Sequence, residues 1–203
     1  MIAVIDYGLG NLFSLSCSLT KIGAAHIVTR DQSEILAADK LILPGVGAFR
    51  DAIALLNQTG LGEVVIERAK AGVPLMGICL GMQLLFERSF EYGEYVGLGL
   101  IEGESVSLQC AETAGLKIPH IGWNSLNLHR ESRLTRYVRE GDFVYYVHSY
   151  CAQGVGEALV ASSEYGIDVC GIVESGNVCG TQFHPEKSGD VGLGILRAFS
   201  EST

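Results

Sequence analysis

Two short segments, far apart in the chain, hold residue types that together could carry out acyl transfer: Gly77-Ile78-Cys79-Leu80-Gly81-Met82-Gln83 and Gln182-Phe183-His184-Pro185-Glu186. A thiol, an imidazole and a carboxylate are a nucleophile, a general base and a group that orients the base. Cys79 lies between Gly77 and Gly81, the spacing of a nucleophile elbow with Cys in place of Ser. Small neighbours are required there, because a side chain at either glycine would clash where strand and helix pack closely. His184 and Glu186 are two apart, so an extended backbone would point both to one side. Pro185 fixes its own φ and biases His184 away from helix. Read singly, Cys79 would be a buried small apolar residue and His184 a surface histidine. The pairing of the two contexts favours chemistry.

The elements that must position these residues follow from the hydrophobic pattern. Val73 to Ile78 reads as a short buried strand. Leu80–Arg88 reads as a helix whose apolar face is Leu84, Leu85 and Phe86, so Cys79 falls at a helix N-terminus, where the thiolate is favoured. Asn177 to Phe183 reads as a strand ending at His184. Upstream, candidate strands Ile2–Asp6, Ala25–Thr29, Leu41–Leu43 and Pro74–Ile78 alternate with candidate helices Leu12–Ile22, Ala48–Asn57 and Leu61–Ala71. Such alternation predicts βα units and a mostly parallel sheet. The second half is strand-rich, with candidates at Ser105–Gln109, Phe143–Ser149, Ala158–Ala161, Val169–Val173 and Val178–Phe183, and a closing helix at Val191–Phe199. Ser89–Gly99 and Ala111–Gly115 read as exposed loops. In an open α/β sheet the site lies beyond the carboxyl ends of the strands, which puts Cys79 and His184 on one rim. Oxyanion donors are expected from the backbone N–H of Leu80 and from the glycine-rich turn Pro44-Gly45-Val46-Gly47. Gln83, four residues after Cys79, should share its helical face.

Further motifs carry a family resemblance: Asp6-Tyr7-Gly8-Leu9-Gly10-Asn11, Pro44-Gly45-Val46-Gly47-Ala48-Phe49, Pro119-His120-Ile121-Gly122-Trp123-Asn124, Val147-His148-Ser149-Tyr150 and His184-Pro185-Glu186-Lys187-Ser188-Gly189. With the elbow, they span nearly the whole chain. The chain resembles class I glutamine amidotransferases, and within them the glutaminase subunits that serve imidazole formation in histidine biosynthesis. The resemblance implies a flavodoxin-like α/β fold: a mostly parallel central sheet flanked by helices, with added antiparallel strands in the second half, as one domain over residues 1–203. It implies a Cys79-His184-Glu186 triad and an oxyanion site at Val46, Gly47 and Leu80, with a peptide near Val46–Gly47 that reorients before catalysis. It implies glutamine contacts from Gly45, Gln83, Ser149 and Tyr150. Asn11, Trp123, Tyr145 and Lys187 would face a (β/α)₈-barrel cyclase in a heterodimer that receives the ammonia. Cys151 and the Phe90–Glu94 loop are less typical of the family. An amidotransferase serving another synthase, a free γ-glutamyl hydrolase and a non-catalytic regulator are the competing readings.

Composition bounds the rest. Hydrophobic residues make up 48% of 203 and charged residues 18%, which indicates a globular chain able to bury a core. The net charge of −9 argues against a nucleic-acid or anionic-membrane surface. The six cysteines form no C-x-x-C pair, so neither a zinc site nor a redox motif is expected. Phe13 stands where a dinucleotide fingerprint begun by Gly8 and Gly10 would need its third glycine, so no nicotinamide or flavin is expected, nor any other cofactor. No basic leader precedes Met1–Ile5, and no apolar run is long enough to span a bilayer. The expected location is the cytoplasm.

Overall fold

The computed structural model describes residues 1–109 and 115–202. The first half runs β1 (Ile2–Ile5), α1 (Leu12–Lys21), β2 (His26–Thr29), α2 (Gln32–Ala37), β3 (Lys40–Gly45), α3 (Phe49–Thr59), α4 (Leu61–Lys70), β4 (Leu75–Cys79) and α5 (Leu80–Gln83). The second half contains β5 (Arg88–Ser89), β6 (Tyr95–Val96), β7 (Glu104–Ser107), β8 (His120–Ser125), β9 (Asn127–Leu128), β10 (Phe143–His148), β11 (Tyr150–Gln153), β12 (Leu159–Glu164), β13 (Asp168–Ser175) and β14 (Val178–Thr181). A 3₁₀ turn at Pro185–Lys187 leads into the last helix, α6 (Gly189–Glu201).

The main sheet has the order β2-β1-β3-β4-β14-β13-β12-β9. Its β2-β1-β3-β4-β14 portion is parallel, and β13, β12 and β9 join it antiparallel. Alternation along the parallel strands splits the core between two faces. Ala3, Ile5, Leu41, Leu43 and Leu75 pack with residues of α2, α3 and α4. Ile2, Val4, Ile42, Met76 and Ile78 pack with Leu15 and Leu19 of α1 and Ile195, Leu196 and Phe199 of α6. β3, β4 and β14 are adjacent and in register, Gly45 opposite Cys79 and Thr181 opposite Ile78, so their carboxyl ends form one rim. A two-stranded ribbon of β8 and β10 and a four-stranded sheet, β11-β7-β5-β6, complete the fold.

Several expectations are corrected. The elbow helix ends at Gln83 rather than Arg88. The carbonyls of Leu84, Leu85 and Phe86, which a longer helix would use, instead accept from the N–H groups of Leu98, Leu100, Ile101 and Gly99. All three side chains are fully buried, so tertiary packing overrides the local helical pattern. β14 stops at Thr181, short of Phe183. The expected loop Ser89–Gly99 carries the short strand β6. Of the expected Ala111–Gly115 loop, residues 111–114 lie outside the described residues, as does Cys110; Gly115 is a turn residue. α2 and β8 were not anticipated; Asp31, whose side chain accepts from Ser33 N and Glu34 N, is a helix cap legible in sequence.

Candidate active site

Cys79 ends β4 with φ 54° and ψ −111°, a backbone conformation rare for a residue with a side chain. The elbow holds it there. A Cβ on Gly77 would come 2.6 Å from Gly81 O, and one on Gly81 would come 1.8 Å from Leu43 O. Both positions therefore tolerate only glycine, as the spacing predicts. Strain of this kind persists only where surrounding packing over-determines it, and it clusters at reactive centres. The short α5 offers Cys79 one helical turn rather than the longer dipole expected.

His184 has extended φ and ψ, after which the chain turns through the 3₁₀ segment instead of continuing extended. That turn, not strand alternation, brings Glu186 back to the ring. Glu186 Oε1 lies 2.9 Å from His184 Nδ1, and both side chains are 2% exposed. Nδ1 therefore carries a proton, and Nε2 is the nitrogen left to exchange one with Cys79 and the substrate. His184 Nε2 is buried with no hydrogen-bond partner in this resting geometry, although Cys79 is close enough to couple with it electrostatically. Burial opposes the imidazolium, but Cys79 and Glu186 together outweigh it and push the His184 pKa up to about 10. The Asn11 amide donates to the same Glu186 oxygen at 3.3 Å. Glu186 Oε2 is buried without a partner. The Cys79 thiol sits 3.9 Å from Val147 O and 3.8 Å from Gln182 Nε2.

These groups open into a cavity of about 330 Å³ whose lining includes Val46, Gly47, Cys79, Leu80, Gln83, Ser149, Tyr150 and His184. The sequence-derived triad, oxyanion and substrate positions thus converge, apart from Gly45. Gly45 is buried behind the rim, and a Cβ there would meet Gly81 N at 2.7 Å. Gly47, at φ 98°, supplies the left-handed turn that carries the exposed Val46 past the cavity mouth. The Gln83 amide nitrogen donates to Tyr150 O at 2.9 Å and to Gln182 Oε1 at 3.1 Å. Among the positions expected at an interface, Trp123 is 55% exposed and meets Tyr145 edge-on at 5.9 Å between ring centroids. Lys187 is exposed, while Asn11 turns partly inward to the triad carboxylate.

Sequence reasoning missed Glu91, Pro119, Val147 and His148, which also line the cavity. Glu91 accepts from Phe49 N at 2.6 Å, at the start of α3. Burial raises its pKa, against the stabilising pull of that N–H. A half-buried carboxylate at this wall can receive the ammonium of an amino-acid ligand. No local pattern marks it, since it reaches the cavity from an irregular loop. The arrangement as a whole suits attack of a thiolate on a small amide, with the base within reach of the leaving nitrogen.

The family model for glutamine amidotransferase class-I matches residues 3–200. The imidazole glycerol phosphate synthase subunit HisH of Bacillus licheniformis is 52% identical, over 100% of this chain and 97% of that protein. The protein of that name from Lactococcus lactis is 48% identical, over 98% of each. Among solved structures, a glutamine amidotransferase superposes with a TM-score of 0.74 at 19% identity, over 97% of this chain and 98% of the other. PurLQS of Thermotoga maritima gives 0.73 at 19% identity, over 98% and 96%. Those structural likenesses establish the fold.

Proposed function

The chain belongs to the class I glutamine amidotransferase family, and on that premise we propose that it is the glutaminase subunit of an imidazole glycerol phosphate synthase. The observation that carries the reading is the convergence of a strained Cys79, a His184–Glu186 pair and a small cavity on one rim of the sheet. The near-full-length identity to HisH subunits directs it to this synthase.

Cys79 attacks the side-chain amide carbon of L-glutamine as a thiolate, its proton already held on His184 Nε2, whose pKa of about 10 keeps the ring charged. The oxyanion is met by backbone N–H groups at Leu80 and at the Val46–Gly47 turn. His184 then gives the proton to the departing nitrogen, the C–N bond breaks, and ammonia leaves a γ-glutamyl thioester. Water, deprotonated by His184, adds to the thioester. The C–S bond breaks, the thiolate–imidazolium pair is restored, and glutamate and a proton leave. Glu186 stabilises each imidazolium. Glu91, Gln83, Ser149 and Tyr150 hold the amino-acid end of the substrate. The ammonia passes to a (β/α)₈ cyclase subunit, which uses it to form imidazole glycerol phosphate and an aminoimidazole carboxamide ribonucleotide. The exposed Ile121, Trp123 and Phe143 on the β8/β10 ribbon support docking of that subunit beside the site. Tyr145, edge-on to Trp123, belongs to the same face, and the reading puts Asn11 and Lys187 at its border. The chain works as one amidotransferase domain, and a cytoplasmic setting agrees with the absence, among the described residues, of a helix able to cross a membrane.

The test is glutamate release from glutamine by the chain alone and with a purified cyclase subunit and its nucleotide ligand. A strong rise only in the complex, abolished by Cys79→Ala, is expected. Equal activity without the partner would indicate a free-standing hydrolase, and activity persisting in Cys79→Ala would remove the thioester.

A further inference from the structure

The β8/β10 ribbon has a second, buried face. His120 and His148 are opposed across it in register and are 3% and 6% exposed. The His120 ring lies between Tyr146, at 4.6 Å, and Tyr165, at 3.9 Å between centroids. Acyl transfer as derived above uses neither imidazole, yet His148 lines the cavity.

Their hydrogen bonds have a determinate direction. His148 Nδ1 is 2.9 Å from Tyr150 O, and a carbonyl only accepts, so Nδ1 holds the proton. Nε2 of the neutral ring is then an acceptor, and it lies 3.0 Å from His120 Nδ1, which must donate. His120 Nε2 is left as an acceptor, and the Asn124 amide reaches it at 3.4 Å. Burial keeps both rings neutral, pushing His120 down to about 4 and His148 to about 3. Tyr150 O also accepts from Gln83 Nε2 at 2.9 Å, so two donors fix that peptide. β10, the strand that carries His148, also meets the reacting groups. Tyr145 O accepts from His184 N at 3.0 Å, and Val147 O is the carbonyl beside the Cys79 thiol.

We propose that His148 is a positioning residue: oriented by a one-way chain from Asn124 through His120, it donates to the Tyr150 carbonyl, which sets the Ser149–Tyr150 wall for glutamine and ties it to β8. The outer face of β8 presents Ile121 and Trp123, so whatever docks there bears on the strand that anchors the cavity wall. The proposal rests on the amidotransferase reading and adds a determinant of substrate affinity to it.

The test has two parts, both on the complex with the cyclase subunit. Nitrogen-15 chemical shifts of the wild-type imidazoles should show both rings neutral and protonated at Nδ1. Protonation of either ring at Nε2 would overturn the chain, whatever the activity. Two variants of one residue then separate its bonds. Asparagine at this position places an N–H where Nδ1 was, and glutamine places an acceptor where Nε2 was. His148→Gln should raise KM for glutamine about tenfold with kcat changed less than about threefold, the pattern of lost uniform binding. His148→Asn, which keeps the donor to Tyr150 O, should raise KM by about threefold or less. A fall in kcat at constant KM, equal effects of the two variants, or no effect would overturn the proposal. If neither variant folds, the ring protonation decides. A wild-type complex without glutaminase activity would instead remove the underlying reading.

Discussion

Replacing Glu186 with glutamine removes a charge and keeps the shape. In the native site Glu186 Oε1 accepts from His184 Nδ1 at 2.9 Å and from Asn11 Nδ2 at 3.3 Å, while Oε2 is buried without a partner. A hydrogen bond to a charged group contributes about 1.5–3 kcal/mol against roughly 1 kcal/mol between neutral groups. The His184 imidazolium therefore loses about 1–2 kcal/mol of stabilisation, or roughly 5–30-fold in rate. That is the lower bound, with the amide oxygen kept toward His184. If the amide turns over, its NH₂ confronts Nδ1 and drives the ring to the wrong tautomer, a defect that costs about 10⁴-fold in Ser-His-Asp enzymes. Asn11 opposes this, because the turned NH₂ would also confront the Asn11 NH₂. Glu186→Gln should thus lower kcat at least about fivefold, and Asn11→Ala combined with Glu186→Gln should lower it further. Glutamate release by the assembled complex measures both. A Glu186→Gln kcat within about threefold of wild type would refute the orienting role.

Three further outcomes are expected. Glycine normally stabilises less than alanine, but at Cys79, held at φ 54°, the order should reverse: Cys79→Gly should exceed Cys79→Ala in stability by about 1 kcal/mol in urea unfolding, and the ordinary order would show that the elbow stores no strain. The His184 pKa is raised from 6.5 to about 10, so its contribution to stability is complete below 6.5 and is lost as pH climbs through 10. The urea midpoint should decline across that window, and Glu186→Gln should flatten the decline; an identical slope in the variant would refute the coupling. Trp123→Ala should weaken binding of the cyclase subunit by about 2 kcal/mol, roughly 30-fold in Kd by titration calorimetry, and an unchanged Kd would place the docking face elsewhere.

Local patterns made the parallel half of the fold legible. Buried strands next to amphipathic helices, punctuated by glycines, leave few alternatives, and the observed β1 to β4 and α1, α3 and α4 match to within a few residues. The elbow was legible for a related reason: its glycines leave no room for a side chain, since a Cβ on Gly81 would come 1.8 Å from Leu43 O. The length of α5 was not. Leu84-Leu85-Phe86 suits a helix in isolation, and only the pairing of their carbonyls with the N–H groups of Leu98 to Ile101, distant in space until the chain folds, ends it.

Cys79, His184 and Glu186 can therefore be named from residue type and spacing, because each is held by its immediate neighbours. Which nitrogen of His184 faces the thiol is a tertiary outcome, since a 3₁₀ turn replaces the expected extended step and returns Glu186 to Nδ1. Glu91, Val147 and His148 belong to the cavity only because a loop and the β8/β10 ribbon are folded over the rim. The physical difference is range. Steric limits on an elbow act between adjacent residues and are written in order along the chain. The directions of buried hydrogen bonds depend on partners that meet only after the sheet, ribbon and loops have packed together.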